Sequence, residues 1–224
     1  MWLDERYRRE RQARQAMFDQ IDLYPVITAS LSEAKDPVAI LMELLKTPIK
    51  IVQLREKNLH QMDRFFIAEE FRKLIPENRK LLIVNDDVNS AISSGADGVH
   101  LGNTDMPVAE ARKKNPDLLI GKSCTTLDEA LRAETDGADY INVGPIFETS
   151  TKVGVKPVGL ALISEIKNKI RIPMTVMGGI TKDNLRLVLE AGATKVAMIK
   201  GLICGDIEKN VADCLEIFRS YRGV

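Results

Sequence analysis

The sequence predicts an α/β fold, a single (β/α)8 TIM barrel with a short charged N-terminal helical extension. Three observations lead there. Eight short apolar, β-branched runs recur along 224 residues, and helical patterns separate them. Several runs, such as Leu81-Leu82-Ile83-Val84, are apolar without interruption, which suits parallel strands buried on both faces. Gly95-Ala96-Asp97, Gly137-Ala138-Asp139 and Gly192-Ala193-Thr194 each stand just before a run, as glycine-capped helix ends returning the chain to the next strand. A doubly wound nucleotide fold would carry GxGxxG after an early strand, and no such motif follows the first.

Residues 1–20 form the predicted extension and residues 21–224 the barrel. Within the extension, Arg6, Arg8, Arg9, Arg11 and Arg14 alternate with acids, and Trp2, Tyr7 and Met17 are too sparse for a strong apolar face. A solvated helix leading into the barrel is expected, with a membrane-surface or partner helix as the alternative. The strands are expected at Leu23–Ala29, Ile49–Arg55, Leu81–Asp86, Gly98–Leu101, Leu119–Ser123, Tyr140–Val143, Met174–Met177 and Val196–Lys200. Met62–Leu74 sets Phe65, Phe66, Ala68 and Leu74 among charges, an amphipathic helix. Thr126 followed by Glu129 predicts a capping box opening a helix to Thr135. Thr181–Glu190 carries Asp183 in its first turn, and Ile207–Tyr221 spaces Ile207, Val211, Leu215 and Phe218 helically.

Composition excludes several functions. Hydrophobic residues are 45% and charged residues 29%, enough for a core and a solvated surface. The 32 acidic and 32 basic residues cancel and aromatics are only 5%, so no nucleic-acid partner is expected. No apolar run approaches the roughly 20 residues of a membrane span, and no signal core opens the chain. Cys124, Cys204 and Cys214 form no CxxC pair, which fits a reduced, cytoplasmic compartment. A homodimer is left open.

In a barrel the chemistry sits at the strand C-termini. After the second strand, alternation sets Gln53, Arg55 and Lys57 on one side of Gln53-Leu54-Arg55-Glu56-Lys57. An inward arginine needs an anion, either an internal carboxylate or a ligand phosphate. Asn85-Asp86-Asp87 follows the third strand, and Asp105 lies in the loop after the fourth. Asp86 and Asp105 suit a hard cation such as Mg2+, although aspartates also cap barrel helices. The loop Gly144–Lys152 is rich in hydroxyls and ends in a lysine, either a phosphate-binding stretch or an ordinary polar loop. Gly178-Gly179 and Ile199-Lys200-Gly201 follow the last two strands, the usual phosphate site of a barrel. Two anion sites on one face imply two phosphorylated substrates or one bisphosphate. His60 reads as exposed, and His100 as a core histidine or a general base. Cys124 has no histidine near it in sequence to make it a nucleophile.

These residues resemble the thiamine-phosphate synthase family. The resemblance runs from about Leu23 to the C-terminus and rests on VQLREK (Val52–Lys57), VNDDV (Val84–Val88), GADGVHLG (Gly95–Gly102) with Asp105-Met106-Pro107, GADYINVGPIF (Gly137–Phe147) and GGIT (Gly178–Thr181). It implies a transferase that joins 4-amino-2-methyl-5-(diphosphooxymethyl)pyrimidine to a thiazole phosphate, releasing diphosphate with Mg2+. By the same resemblance Gln53, Leu54, Arg55, Glu56, Lys57, Asn85, Ser123 and Lys152 would hold the pyrimidine diphosphate. Arg55, Lys57, Ser123 and Lys152 would be catalytic, and Asp86 and Asp105 would bind Mg2+. Thr149, Ser150, Thr151, Gly179, Ile199 and Lys200 would hold the thiazole phosphate. Three positions depart from the family pattern: Lys122 replaces a valine, Thr125 a histidine and Lys200 a serine. A related thiazole tautomerase and a non-catalytic binder of thiamine-related phosphates are the alternatives.

Overall fold

The computed structural model describes residues 2–33, 36–75, 80–149, 151 and 154–223, with side chains from residue 9 onward. Eight parallel strands close into a barrel in sequence order: β1 (Leu23–Ile27), β2 (Ile51–Leu54), β3 (Leu81–Asn85), β4 (Gly98–Leu101), β5 (Leu119–Cys124), β6 (Tyr140–Val143), β7 (Met174–Val176) and β8 (Val196–Met198). Around them run α1 (Trp2–Asp19), α2 (Pro37–Leu45), α3 (Gln61–Leu74), α4 (Val88–Ser93), α5 (Val108–Lys114), α6 (Leu127–Thr135), α7 (Ala161–Lys167), α8 (Lys182–Glu190), α9 (Lys200–Ile203) and α10 (Ile207–Arg222). The predicted fold class is the observed one.

The strands form where the apolar runs are, since a parallel strand covered by helices outside and side chains inside has no wet face. All but two of the strand residues are buried, the exceptions being Lys122 and Ser123 in β5. Register places Gln53 beside Val26, His100 beside Gly121 and Ser123 beside Asn142, so polar side chains from alternate positions meet inside the barrel. Most strands end earlier than the apolar pattern suggests. β8 stops at Met198, and Lys200 opens α9 instead of ending a strand.

The repeated Gly-Ala-Asp turns have a structural cause. Asp97 accepts from the Leu82 amide (2.8 Å) and pairs with Arg72 of α3 (3.0 Å). Asp139 accepts from the Ile120 amide (2.7 Å) and pairs with Arg112 of α5 (2.5 Å). Each aspartate ties the previous strand and its helix to the strand it precedes.

The N-terminal helix is not merely solvated. Arg11 Nε lies 2.6 Å from Asp139, and Arg14 Nε lies 3.4 Å from Asp97, so α1 docks on those same aspartates at the N-terminal face of the barrel. Phe18, fully buried, stacks on Tyr140 at 4.3 Å and meets Tyr24 edge-on at 6.3 Å, which closes that end. The predicted capping box at α6 is also shifted. Thr126 accepts from the Glu129 amide, but the Glu129 carboxylate reaches back to the Thr125 amide (2.6 Å) and hydroxyl (2.9 Å).

Candidate active site

Two adjoining cavities open at the C-terminal ends of the strands. The larger, about 270 Å3, lies over β6–β8 and is lined by Thr149, Thr151, Gly178, Gly179, Ile199 and Lys200, among others. The smaller, about 50 Å3, lies over β1–β4 and is lined by Tyr24, Gln53, Lys57, Asn85, Asp86, His100 and Gly102. Arg55, Ser123, Asn142, Met177 and Ala197 line both, so the cavities share a wall.

Strand parity decides which residues of the second strand's exit reach the cavities. Gln53 and Arg55 point inward, and Lys57 follows on their side. Leu54 and Glu56 alternate away and line neither cavity. Leu54 is core, and the buried Glu56 carboxylate accepts from the Ala29 amide (2.5 Å), fixing the turn after β1. Arg55 is partly buried. Burial lowers its pKa, and Asp86 and Glu56 only partly restore it. A ligand anion would complete that compensation.

Asp86 sits just past β3 in the left-handed region (φ 67°), its amide donating to the His100 carbonyl (2.8 Å). Asp87 takes the ordinary capping role, accepting from the Ser90 amide at 3.0 Å. That division leaves the Asp86 carboxylate to the cavity, where it meets Lys57 Nζ at 3.1 Å. Burial raises the Asp86 pKa, the neighbouring Asp105 carboxyl raises it further, and Lys57 offsets part of the rise. Asp105 is held in turn by the Gly102 amide (2.6 Å). Among the described residues no three metal-ligating side chains gather, so this carboxylate pair is the acidic part of the site. Two half-buried carboxylates facing each other suit a hard divalent cation that takes its remaining oxygens from water and phosphate.

The paired glycines after β7 have a packing role as well as an open backbone. A Cβ on Gly178 would stand 2.4 Å from Pro145 Cβ, and one on Gly179 would stand 2.3 Å from the Glu148 carbonyl. The Ile146 and Phe147 amides donate to the Met177 and Gly178 carbonyls (2.9 and 3.0 Å), which fixes the loop after β6 against these glycines. Ser150 and Lys152, both expected in the site, lie outside the described residues.

Of the three departures from the family pattern, only Lys200 lines a cavity. Thr125 is engaged with Glu129. Lys122 points away from the barrel axis and donates to the Gly102 carbonyl (2.7 Å) and to Asn103 Oδ1 (2.8 Å).

Sequence reasoning named Gln53, His100 and Ser123 but passed over the other members of the polar floor, Tyr24, Tyr140, Asn142 and Thr175, and the bonds that join them. Gln53 Nε2 donates to Tyr24 Oη (2.9 Å), which lies 3.0 Å from Tyr140 Oη. His100 Nδ1 is 3.2 Å from Tyr140 Oη, and its Nε2 is 3.0 Å from Ser123 Oγ. Thr175 donates to Asn142 Oδ1 at 2.8 Å. The available signal was a polar residue inside an apolar strand: Asn142 in Tyr-Ile-Asn-Val and Thr175 in Met-Thr-Val. His100 is a hydrogen-bonded core histidine that also borders the smaller cavity.

Comparison with known proteins points to one family. A family profile described as thiamine monophosphate synthase matches residues 23–202. A thiamine-phosphate synthase of Methanosarcina mazei is 36% identical over 94% of this chain and 88% of its own. One from Methanospirillum hungatei is 40% identical over 81% of this chain and 89% of its own. The solved thiamine phosphate pyrophosphorylase of Pyrococcus furiosus superposes with a TM-score of 0.81 at 33% identity, covering 90% of this chain and 96% of that one.

Proposed function

The chain belongs to the thiamine monophosphate synthase family, and from that membership we propose that its two cavities divide the substrates of one thiamine-phosphate synthase reaction. The smaller cavity takes the diphosphate-bearing aminopyrimidine and the larger takes the thiazole phosphate. The observation that carries this reading is the shared wall. A cavity lined by Lys57, Asn85 and Asp86 meets one lined by Thr149, Gly179 and Lys200 across Arg55 and Ser123.

The reaction breaks the bond between the pyrimidine methylene and the diphosphate oxygen, which departs with the electron pair. The thiazole nitrogen supplies the pair for the new carbon–nitrogen bond. Arg55 and Lys57 meet the charge that grows on the leaving oxygens, and Arg55 can do so from the wall between the substrates. Ser123 donates a hydrogen bond at the same place. Asp86 and Asp105 would hold Mg2+, which supplies charge neutralisation at the diphosphate. Gln53 orients the aminopyrimidine, and Asn85 borders its phosphates. The backbone at Gly179 and Ile199, with Thr149, Thr151 and Lys200, holds the thiazole phosphate. Ser150 and Lys152 belong to the same proposed set by the family motif. Three cysteines with no CxxC pair support a reducing, cytoplasmic setting.

The test is a coupled assay with both substrates and Mg2+, with thiamine phosphate read as fluorescent thiochrome. Product is expected, and it should vanish with EDTA and in Lys57→Ala and Asp86→Ala. Binding of both ligands without product would support the non-catalytic alternative.

A further inference from the structure

The floor of the smaller cavity is a run of hydrogen bonds whose protons can be counted. It passes from Gln53 through Tyr24, Tyr140 and His100 to Ser123, with links of 2.9, 3.0, 3.2 and 3.0 Å. Gln53 and His100 are buried, and both tyrosines are almost wholly so. Burial raises the pKa of both phenols, so each keeps one proton to give.

The amide nitrogen of Gln53 can only donate, so the Tyr24 oxygen accepts from it. A buried phenol must also place its own proton, and among the described residues Tyr24 has no acceptor but Tyr140. So the Tyr24 proton faces the Tyr140 oxygen and the Tyr140 proton faces His100 Nδ1. A histidine whose Nδ1 accepts carries its proton on Nε2 and donates it to Ser123 Oγ. Ser123 has then received, and its own proton turns into the cavities. We infer that these five residues form a one-way hydrogen-bond chain that fixes the Gln53 carbonyl oxygen as an acceptor and the Ser123 hydroxyl as a donor. Tyr24, Tyr140 and His100 are thus positioning residues.

The opposite sense would start from a rotated Gln53 amide. It would present an NH2 group at one end and a spent hydroxyl at the other. Only the first sense suits a ligand with an amine at one end and phosphate oxygens at the other; that match rests on the synthase reading, whereas the proton count does not.

The surroundings hold the chain in place. A Cβ on Gly121 would fall 2.1 Å from Tyr140 Cζ and 2.5 Å from His100 Nδ1, so only glycine leaves room for that link. Phe18 supports the Tyr140 ring from the other end.

The chain has two histidines, so 15N-histidine labelling resolves them, and His60→Gln identifies the His100 signals. The native protein should show His100 with a proton on Nε2 and none on Nδ1. A native Nδ1–H form would overturn the chain. Tyr140→Phe removes the donor to Nδ1, so both tautomers should become populated. Its kcat should fall on the order of tenfold or more, with KM for the thiazole phosphate little changed. Tyr24→Phe releases the Gln53 end and serves if Tyr140→Phe does not fold. Its kcat should fall likewise, while His100 keeps its Nε2 proton because Tyr140 still donates to Nδ1; an unchanged kcat would overturn the chain. An unchanged tautomer in folded Tyr140→Phe would also overturn the chain. Product formation with native Nδ1–H would leave the synthase reading standing without the chain. Native Nε2–H without product would leave the chain standing without the synthase reading.

Discussion

At the residue scale, Asp86 is the position where backbone and charge are most tightly joined. Its left-handed conformation (φ 67°) is one that aspartate and asparagine tolerate better than other side-chain-bearing residues. Asp86→Asn should therefore keep the native stability, or exceed it, because the repulsion with Asp105 disappears. Asp86→Ala should lose about 1–2 kcal/mol from the left-handed backbone. Urea denaturation separates the two, while thiamine phosphate formation should fail in both. Gly121→Ala should be worse for the fold than either, by about 1–3 kcal/mol, because its Cβ meets Tyr140 and His100; a fall in melting temperature would check it. Burial pushes the Cys124 thiol up to about 12, so little thiolate forms below that pH. Iodoacetamide at pH 8 should spare Cys124 in the native protein and label it in urea. The sequence alone had no way to reveal the Tyr24–Ser123 run, because its members come from four strands and a fifth, and only closure of the barrel brings them together.

At the scale of elements, the strands and the N-terminal helix were legible, but the docking of that helix under the barrel was not. A buried parallel strand repeats its apolar signal at every position. Among the described side chains of α1 only Phe18, in the last turn, is deeply buried, and so sparse a contact leaves almost no periodic signal. The spacing of Arg11 and Arg14 was visible, but its meaning depended on where Asp139 and Asp97 would sit. Phe18→Ala should destabilise the fold by about 3–5 kcal/mol, as for a large aromatic removed from a core. Calorimetry should show that loss, and it should far exceed that of Arg11→Ala, whose partner keeps Arg112. Strand exits were legible in kind but not in detail. The motif after β2 was carried over whole, yet parity turns Leu54 and Glu56 away from the cavities. Lys200 changed element because the chain bends into α9 immediately after β8.

At the scale of the whole molecule, the closed barrel makes its interior resistant to alkali up to a limit. Tyr24 and Tyr140 are two of four tyrosines, and burial raises the pKa of both above the unfolded value of about 10. The folded state holds these protons more firmly than the unfolded state. Their contribution to stability is therefore complete below pH about 10 and is lost as pH rises toward the folded values. Tyrosinate absorbance should show these two groups ionising only together with loss of the native circular dichroism, and Tyr24→Phe should shift that transition. An early, separate ionisation of both would contradict the burial of the barrel floor.

The wall shared by the two cavities also bears on how this protein can change. Arg55, Ser123, Asn142, Met177 and Ala197 each face both compartments. A mutation selected to admit a bulkier ring on one side therefore alters the surface presented to the other. Groups that touch one another do not add independently. Variants recombined from separate selections for each substrate should thus be epistatic wherever they meet this wall, and additive where they lie on the outer loops. New specificities are then reached more readily by selecting for the pair of substrates together than for either one alone.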